Sequence, residues 1–161
     1  MATTAPHLSK AGFDLSPPTG AELDALTRDL TAEENHVLLH HGTERPFCGV
    51  FHDAKIPGVY VCRVCALPLF RSGTKFDSGT GWPSFFAPVD DEHVKVVRDV
   101  SWGMVREEIR CQRCDSHMGH VFPDGPPPTG QRYCMNSVSL SLIPDGEELP
   151  DLLDRDEPRT V

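Results

Sequence analysis

The chain has 161 residues and a formal net charge of -9, and its length fits a single domain. No apolar run approaches the roughly 20 residues of a membrane helix, and the few, dispersed basic residues disfavour nucleic-acid binding. More than half of the negative charge lies in residues 145–161, which we interpret as an acidic C-terminal tail. The first residues lack the basic start and apolar stretch of a secretory signal, so we expect a cytoplasmic protein.

The N-terminal part predicts an arm followed by two helices. Residues 1–18 are rich in Ser, Thr, Ala and Pro without a hydrophobic period, which predicts a flexible arm. Two capping boxes then indicate helix starts, at Thr19 with Glu22 and at Thr31 with Glu34. Three histidines belong to the second of these helices, and we interpret them as a solvated helix face: His36, His40 and His41.

The rest of the chain predicts antiparallel β structure. From Gly58 onward, glycines, prolines and aromatic residues separate short runs such as GVYVC, PLF and VKVV. The run MVREEIRC alternates apolar and charged residues, as expected for a strand with one face in water. No repeat or crossover helix interrupts this pattern. We therefore predict a mainly β fold in which residues 19–144 form one domain.

Four of the six cysteines stand in two CxxC pairs. Cys62 and Cys65 form the first pair, Cys111 and Cys114 form the second, and 45 residues lie between the two pairs. Each pair can offer two thiolates to one tetrahedral ion, and four sulfur ligands favour zinc in a closed structural site. Iron is the alternative metal. A thioredoxin-like redox CxxC is a further alternative, although neither pair lies in a βαβ pattern.

A fifth cysteine is the candidate nucleophile. Residues 131–143 alternate with period two, which predicts one strand with Arg132, Cys134 and Asn136 on the same face. A guanidinium two residues away on that face would stabilise the Cys134 thiolate. The alternative is that Cys134 is a small buried hydrophobic residue.

Three further side chains are candidates for the same site. His117 and His120 directly follow the second CxxC pair and could donate protons near neutral pH; buried structural histidines or additional metal ligands are the alternatives. Trp82 lies between Gly81 and Pro83, where a turn could hold it as a pocket wall or as part of the core.

These motifs resemble a known family, the methionine-R-sulfoxide reductases of the B type. The resemblance rests on GTERPFCG, KFDSGTGWPSF, CQRCDSHMGHVFPDGP and PTGQRYCMNS, in this order, and covers about residues 30–144. It implies two twisted antiparallel sheets with a structural zinc. It further implies that oxidised proteins carrying methionine R-sulfoxide are the substrates, and that repair of oxidative damage is the role.

The resemblance also implies roles for individual residues. Cys134 is the nucleophile, and Trp82 lines the pocket for the S-methyl group. The other implied site residues belong to the HxGH and RYCxN motifs: His117, His120, Arg132 and Asn136. The chain departs from many relatives at Thr80, where they have a resolving cysteine. Cys48 replaces a threonine common in the family, which is consistent with a relocated resolving thiol.

These assignments predict a thiol-based reduction. Cys134 attacks the sulfoxide sulfur, a histidine protonates the oxygen, and the resulting sulfenic acid condenses with a thiol to give a disulfide. Thioredoxin is the expected reductant. Two rivals remain at this point: a Cys/His/Asn acyl hydrolase, and a zinc-stabilised protein-binding module in which Cys134 is inert.

Overall fold

The computed structural model describes residues 7–161 and consists of two antiparallel β-sheets and two short helices. One sheet has three strands, in the spatial order β2 (Pro68–Arg71), β1 (Gly58–Cys62) and β9 (Leu140–Pro144). The other has six strands, in the spatial order β3 (Lys75–Phe76), β4 (Ser84–Phe85), β8 (Arg132–Met135), β7 (His117–Phe122), β6 (Arg106–Cys111) and β5 (Val94–Asp99). The predicted mainly β architecture is confirmed.

The helices begin at the two predicted capping boxes. In α1 (Gly20–Thr27) and α2 (Ala32–His40), the N-cap threonine accepts a backbone N–H, and the glutamate three residues later accepts the N–H of the cap. His41 ends α2 in the left-handed conformation, with φ of 56°. Helix α2 packs beside β7. No helix within residues 7–161 is long and apolar enough to cross a membrane.

The core lies between the two sheets. Every residue of β1 is buried, as expected for a central strand covered on both faces. Phe85 stacks on Phe70 with 4.5 Å between ring centroids and meets Tyr60 edge-on at 5.1 Å. Such aromatic pairs add to the stabilisation that comes from burying their area. The GWPSF segment thus supplies a core ring, Phe85, beside the candidate pocket residue Trp82.

The prediction of one strand over residues 131–143 is wrong. Strand β8 ends at Met135, residues Ser137–Ser139 form a 3₁₀ turn, and β9 continues in the other sheet. The buried serines make this corner possible, because side-chain bonds replace the lost strand partners. Ser137 Oγ accepts the backbone N–H of Phe51 at 3.1 Å, and Ser139 Oγ donates to the His117 carbonyl at 2.9 Å.

The two terminal segments pack against each other and against the core. Residues 7–18 differ from the expected arm, since Phe13 and Leu15 are buried; residues 1–6 of that prediction lie outside the described range. Two leucines of the acidic tail, Leu149 and Leu153, join the same core. The Arg155 guanidinium donates to the carbonyls of residues 14 and 16, which fastens the tail to the N-terminal segment.

A buried ion pair fixes the tail to the second CxxC turn and should contribute to the free energy of unfolding. Arg113 Nη1 lies 2.9 Å from Glu157 Oε2, both side chains are buried, and Arg113 Nη2 donates to the Cys65 carbonyl at 2.7 Å. Glu157→Ala leaves a buried guanidinium without its counter-charge, so the free energy of unfolding should fall by about 3 kcal/mol. Exposed Glu148→Ala is the control. Equal denaturant midpoints for the two variants would contradict the prediction.

Candidate active site and metal centre

The two CxxC pairs form the turns of two hairpins, one in each sheet. Cys62 ends β1 before the turn to β2, and Cys111 ends β6 before the turn to β7. The two turns share one backbone geometry: the residue after each pair, Ala66 or Asp115, has φ near 63°, and its N–H bonds the carbonyl of the first cysteine at 2.9 Å. This left-handed residue bends each chain so that both cysteines point to the same side.

The four thiols converge into a single cluster that could hold a metal ion. Their sulfur atoms all lie within 4.8 Å of one another. The Cys62–Cys114 and Cys65–Cys111 sulfurs are 3.6 and 3.5 Å apart. Tetrahedral zinc–thiolate bonds of about 2.3 Å would place sulfurs about 3.8 Å apart. The four cysteines therefore fit one tetrahedral ion that would connect the two sheets.

The register of the six-stranded sheet aligns the candidate catalytic residues in one row. Cys134 lies directly opposite Ser84 on β4 and opposite His120 on β7. His120 in turn lies opposite Glu108 on β6. Directly opposed residues of antiparallel strands share a sheet face. Cys134, one histidine and a carboxylate therefore stand side by side on a single face.

A β-bulge brings the second histidine to this face. Residues three apart in a regular strand point to opposite faces, but the pairing shifts by one residue between Ile109 and Arg110, so His117 lies opposite Arg110. The rings of His117 and His120 are consequently only 5.5 Å apart. The bulge therefore allows both histidines of the HxGH motif to face the same site.

Each histidine contacts its own carboxylate. The Nδ1 atom of His117 lies 2.6 Å from Glu108 Oε2, and the Nε2 atom of His120 lies 2.8 Å from Asp99 Oδ2. Burial lowers the pKa of His117, and Glu108 offsets only part of that effect. His117 therefore rests neutral, with Nδ1–H donated to Glu108. Its Nε2 is buried without a hydrogen-bond partner among residues 7–161.

Glu108 is a site residue that the sequence did not reveal. Burial opposes its ionisation, but bonds from Arg110, His41 and His117 outweigh burial and lower its pKa to about 2. His41 Nδ1 lies 2.7 Å from the same Oε2. The expected wet face of β6 is thus covered at Glu108. His36, His40 and His41 are exposed, as predicted for a solvated helix face, but His41, which caps α2, also directs its Nδ1 to Glu108. The alternating charges of REEIRC could not distinguish a covered face from an exposed one.

Cys134 lies at a cavity of about 250 Å³, enough room for one unbranched side chain. The cavity brings together five of the predicted site residues: Trp82, His120, Arg132, Cys134 and Asn136. It does not include His117. Thr80 also lines the cavity beside Cys134, so the position at which the resemblance implies a resolving cysteine in many relatives is adjacent to Cys134 in this chain.

The predicted effect of Arg132 on the thiol is present but does not dominate. Burial raises the pKa of Cys134, and the Arg132 guanidinium and Thr80 hydroxyl offset only part of that rise. Arg132 itself is held by Asp124 through two bonds of 2.9 and 3.1 Å and lies over the Phe122 ring at 4.4 Å. The Cys134 thiol is therefore protonated in the resting site, and the Arg132 guanidinium is held beside its sulfur.

Trp82 and Asn136 are both positioned by the segment that follows α2. The Trp82 indole Nε1 donates to the Glu44 carbonyl at 3.0 Å, and Asn136 Oδ1 accepts the Glu44 N–H at 3.0 Å. Asn136 Nδ2 donates to the Met118 carbonyl at 3.1 Å. Asn136 is buried, and these bonds hold the cavity wall and the β7 bulge in place.

Cys48 is exposed and does not line the cavity. It lies in the loop between α2 and β1, next to Phe47, whose N–H donates to the Gly81 carbonyl at 2.7 Å. Gly81 directly follows Thr80. The loop that carries Cys48 therefore contacts the loop that borders Cys134.

The electrostatics of Cys134 lead to a prediction about its reactivity. The raised pKa means that the thiolate fraction, and with it the alkylation rate by iodoacetamide, should increase as pH rises beyond the ordinary thiol range. Arg132→Gln removes the neighbouring charge, so its pKa should rise further and its rate at neutral pH should fall several-fold. Arg132→Lys should stay closer to the unsubstituted protein. A Cys48→Ser background isolates the signal, and identical pH profiles for both Arg132 variants would contradict the assignment.

Known proteins match this chain over most of its length. A family model described as the SelR domain matches residues 30–144. A peptide methionine sulfoxide reductase MsrB of Caulobacter vibrioides (strain NA1000 / CB15N) is 65% identical over 153 residues, 95% of this chain and 96% of that protein. The MsrB of Xylella fastidiosa (strain M23) is 56% identical over 148 residues, 92% of this chain and 96% of that protein. The chain therefore belongs to the SelR-domain family, the family of the peptide methionine sulfoxide reductases named MsrB.

Proposed function

We propose that the chain reduces methionine R-sulfoxide in oxidised proteins to methionine, as a repair enzyme for oxidative damage. The observation that carries this proposal is the position of Cys134 at a small cavity beside Trp82, His120 and Arg132. The cavity admits one side chain, and the indole of Trp82 offers an apolar wall for the S-methyl group. The names of the relatives support the same reaction.

The first chemical step joins sulfur to sulfur. The Cys134 thiol loses its proton and the thiolate attacks the sulfoxide sulfur while a proton is delivered to the sulfoxide oxygen, so that no net proton is consumed. Transfer of that oxygen to Cys134 leaves a sulfenic acid on the enzyme and reduced methionine as product. The guanidinium of Arg132 stabilises the thiolate that burial disfavours. The Cys134 thiolate therefore forms in this pocket because Arg132 is present.

His120 is the better placed of the two histidines to deliver the proton. It lies opposite Cys134 in the sheet and lines the cavity, whereas His117 does not. Because Nε2 of His120 bonds Asp99, its Nδ1 is the atom left for the substrate oxygen. His117 then supports His120 from 5.5 Å away, itself held by Glu108. The hydrogen bonds of Asn136 hold the backbone near both histidines.

Cys48 is the proposed resolving thiol. It attacks the Cys134 sulfenic acid, a disulfide forms and water leaves, and a dithiol such as thioredoxin then reduces the disulfide. Position 80, next to Cys134, carries threonine, so the second thiol must come from elsewhere. Four other cysteines stand in the cluster, which leaves Cys48. Residues 45–48, which include it, are all exposed, so the movement that we propose displaces no buried side chain.

The four clustered cysteines are proposed to bind one structural zinc ion. Sulfur spacing fits tetrahedral thiolate coordination, and four protein ligands leave no open position for catalysis. The ion would join the β1–β2 turn to the β6–β7 turn. Binding energy would then become folding energy.

The reducing cytoplasm is the proposed location, with thioredoxin as partner. Cysteines arranged for a metal cluster and a redox site, rather than for structural disulfides, are typical of a reducing compartment. The net charge of -9 gives no support to nucleic-acid binding.

The geometry gives no support to the acyl hydrolase. That mechanism needs an asparagine to orient the catalytic histidine. Here the side chain of Asn136 bonds two backbone groups instead, and the histidines are oriented by Glu108 and Asp99.

The proposed reaction is tested by turnover of stereodefined peptide sulfoxides. With dithiothreitol, the R-sulfoxide should be reduced and the S-sulfoxide should not, while Cys134→Ser should abolish turnover. One equivalent of R-sulfoxide should consume two thiols and yield a Cys48–Cys134 disulfide. Absence of R-sulfoxide turnover in a folded, metal-loaded protein would contradict the function itself.

Variants at positions 48 and 80 test the resolving step separately. Cys48→Ser should still reduce one equivalent but lose thioredoxin-driven turnover, with partial rescue by small thiols. Adding Thr80→Cys to Cys48→Ser should restore thioredoxin-driven turnover, because position 80 borders Cys134. Unchanged thioredoxin turnover in Cys48→Ser would show that the sulfenic acid is reduced directly.

The zinc proposal predicts about one zinc per chain and dependence of folding on it. Cys111→Ser removes one of four ligands and should abolish both stoichiometric zinc and cooperative thermal unfolding. Cys48→Ser, which removes an exposed cysteine outside the cluster, should retain both. Elemental analysis distinguishes zinc from iron. A metal-free protein with an unchanged melting transition would refute the structural role.

A further inference from the structure

An open cleft of about 870 Å³ adjoins the catalytic cavity. The two spaces share Thr43, Arg106 and His120 among their lining residues. The cleft lies between the C-terminal end of α2 and the hairpin that joins β5 to β6. A side chain that enters the cavity toward Cys134 therefore brings its neighbours in the polypeptide to the edge of this cleft.

The hairpin tip presents unusual apolar surface to the cleft. Trp102 is 88% exposed, and Val100 beside it is 61% exposed. Trp102 has φ of 58°, a left-handed conformation that is unfavourable for a bulky side chain. An isolated exposed aliphatic residue is ordinary, but an exposed tryptophan held at such a backbone position is typical of a contact surface.

The same carboxylate positions this tip and the catalytic histidine. Asp99 Oδ1 accepts the N–H of Ser101 at 2.9 Å, and Asp99 Oδ2 lies 2.8 Å from His120 Nε2. Arg106 Nη2 also reaches Oδ2, at 3.3 Å. Trp102 follows Ser101 directly. The aromatic surface is thus fixed relative to the group that faces the substrate.

The charges of the cleft indicate what kind of segment fits. Arg106 is paired with Asp99, and Arg110 with Glu108. Arg98 also borders the cleft, although it lies opposite Glu107 and so alternates with Asp99 to the other face of the edge strand β5; it has no ion pair among residues 7–161. The excess charge of the cleft is therefore positive, in a chain whose net charge is -9.

We propose that this cleft binds the extended polypeptide segment next to the methionine sulfoxide, with an apolar or aromatic side chain on Trp102 and a carboxylate near Arg98. The inference rests on the proposed function and adds a substrate preference to it: sulfoxides in exposed, extended segments that carry a neighbouring apolar residue and an acidic residue. The cavity at Cys134 holds the reacting side chain, and the cleft supplies the additional affinity that a lone amino acid cannot gain.

Three substrates distinguish binding in the cleft from binding in the cavity. The first is N-acetyl-methionine R-sulfoxide methylamide, which fills only the cavity. The second is a decapeptide with one R-sulfoxide flanked by phenylalanine and glutamate. The third replaces that glutamate with lysine. The protein should favour the glutamate peptide over the lysine peptide, and favour both over the small amide.

Trp102→Ala should lower kcat/KM for the glutamate peptide roughly five-fold to tenfold, the effect of removing an aromatic contact residue. The loss should appear in KM, with kcat and small-amide turnover unchanged. Arg98→Glu should reverse the preference between the two peptides. Ile56→Ala is the matched control, because Ile56 is 53% exposed and lies outside both spaces. Thermal unfolding of each variant confirms that it folds.

The alternatives have distinct signatures. Equal losses on peptide and amide would show that the hairpin acts on His120 through Asp99 rather than by docking, and would overturn the proposal. Unchanged peptide kinetics, or an equal loss with Ile56→Ala, would also overturn it. A loss seen only when thioredoxin replaces dithiothreitol would assign the cleft to the reductant. If none of the substrates is reduced by the unsubstituted protein, the proposed function fails first.

Discussion

The shifted register between β6 and β7 is the constraint on which the site depends. A regular pairing would place His117 and His120 on opposite faces, with one ring among the core side chains. The shift near Met118 turns His117 to the face of Cys134, where Glu108 can accept from it. The carbonyl of Met118 then receives the Asn136 amide, which holds the end of β8. One irregular residue thus connects the histidines, the carboxylate and the strand that carries Cys134.

Charge balance at the site follows from burial and fixed partners. The anions Glu108 and Asp99 have pKa values held below their ordinary range by donors on several elements. Their negative charges face the histidines, while the Arg132–Asp124 pair faces the sulfur. The site keeps its carboxylates ionised and its thiol protonated. A substrate that displaces water from the cavity meets fixed dipoles rather than mobile solvent.

Motifs with defined chemistry could be predicted from the sequence. Which residues are covered by segments distant in the sequence could not. The CxxC spacing indicated four converging thiols, and the capping boxes at Thr19 and Thr31 indicated both helix starts. The apolar and polar residues of 131–143 alternate through the corner between β8 and β9, so the pattern did not indicate the break. The corner depends on hydrogen bonds from Ser137 and Ser139 to residues distant in the sequence. Glu108 and His41 were missed for the same reason: each becomes a site residue only when α2 packs beside β7. The arm and tail likewise gain buried positions only by packing against each other and against the core.

The contacts between residues 44–47 and residues 81–82 also bear on the order of events in a catalytic cycle. Phe47 donates to the Gly81 carbonyl, and Trp82 donates to the Glu44 carbonyl, so the loop of Cys48 helps to build the cavity wall. A Cys48 that travels to Cys134 must release the first of these bonds and loosen the second. If Cys48 has the proposed resolving role, the intact cavity wall and the Cys48–Cys134 disulfide would then exclude one another. Release of methionine would accompany disulfide formation, and only reduction of that disulfide would rebuild a pocket able to accept the next sulfoxide.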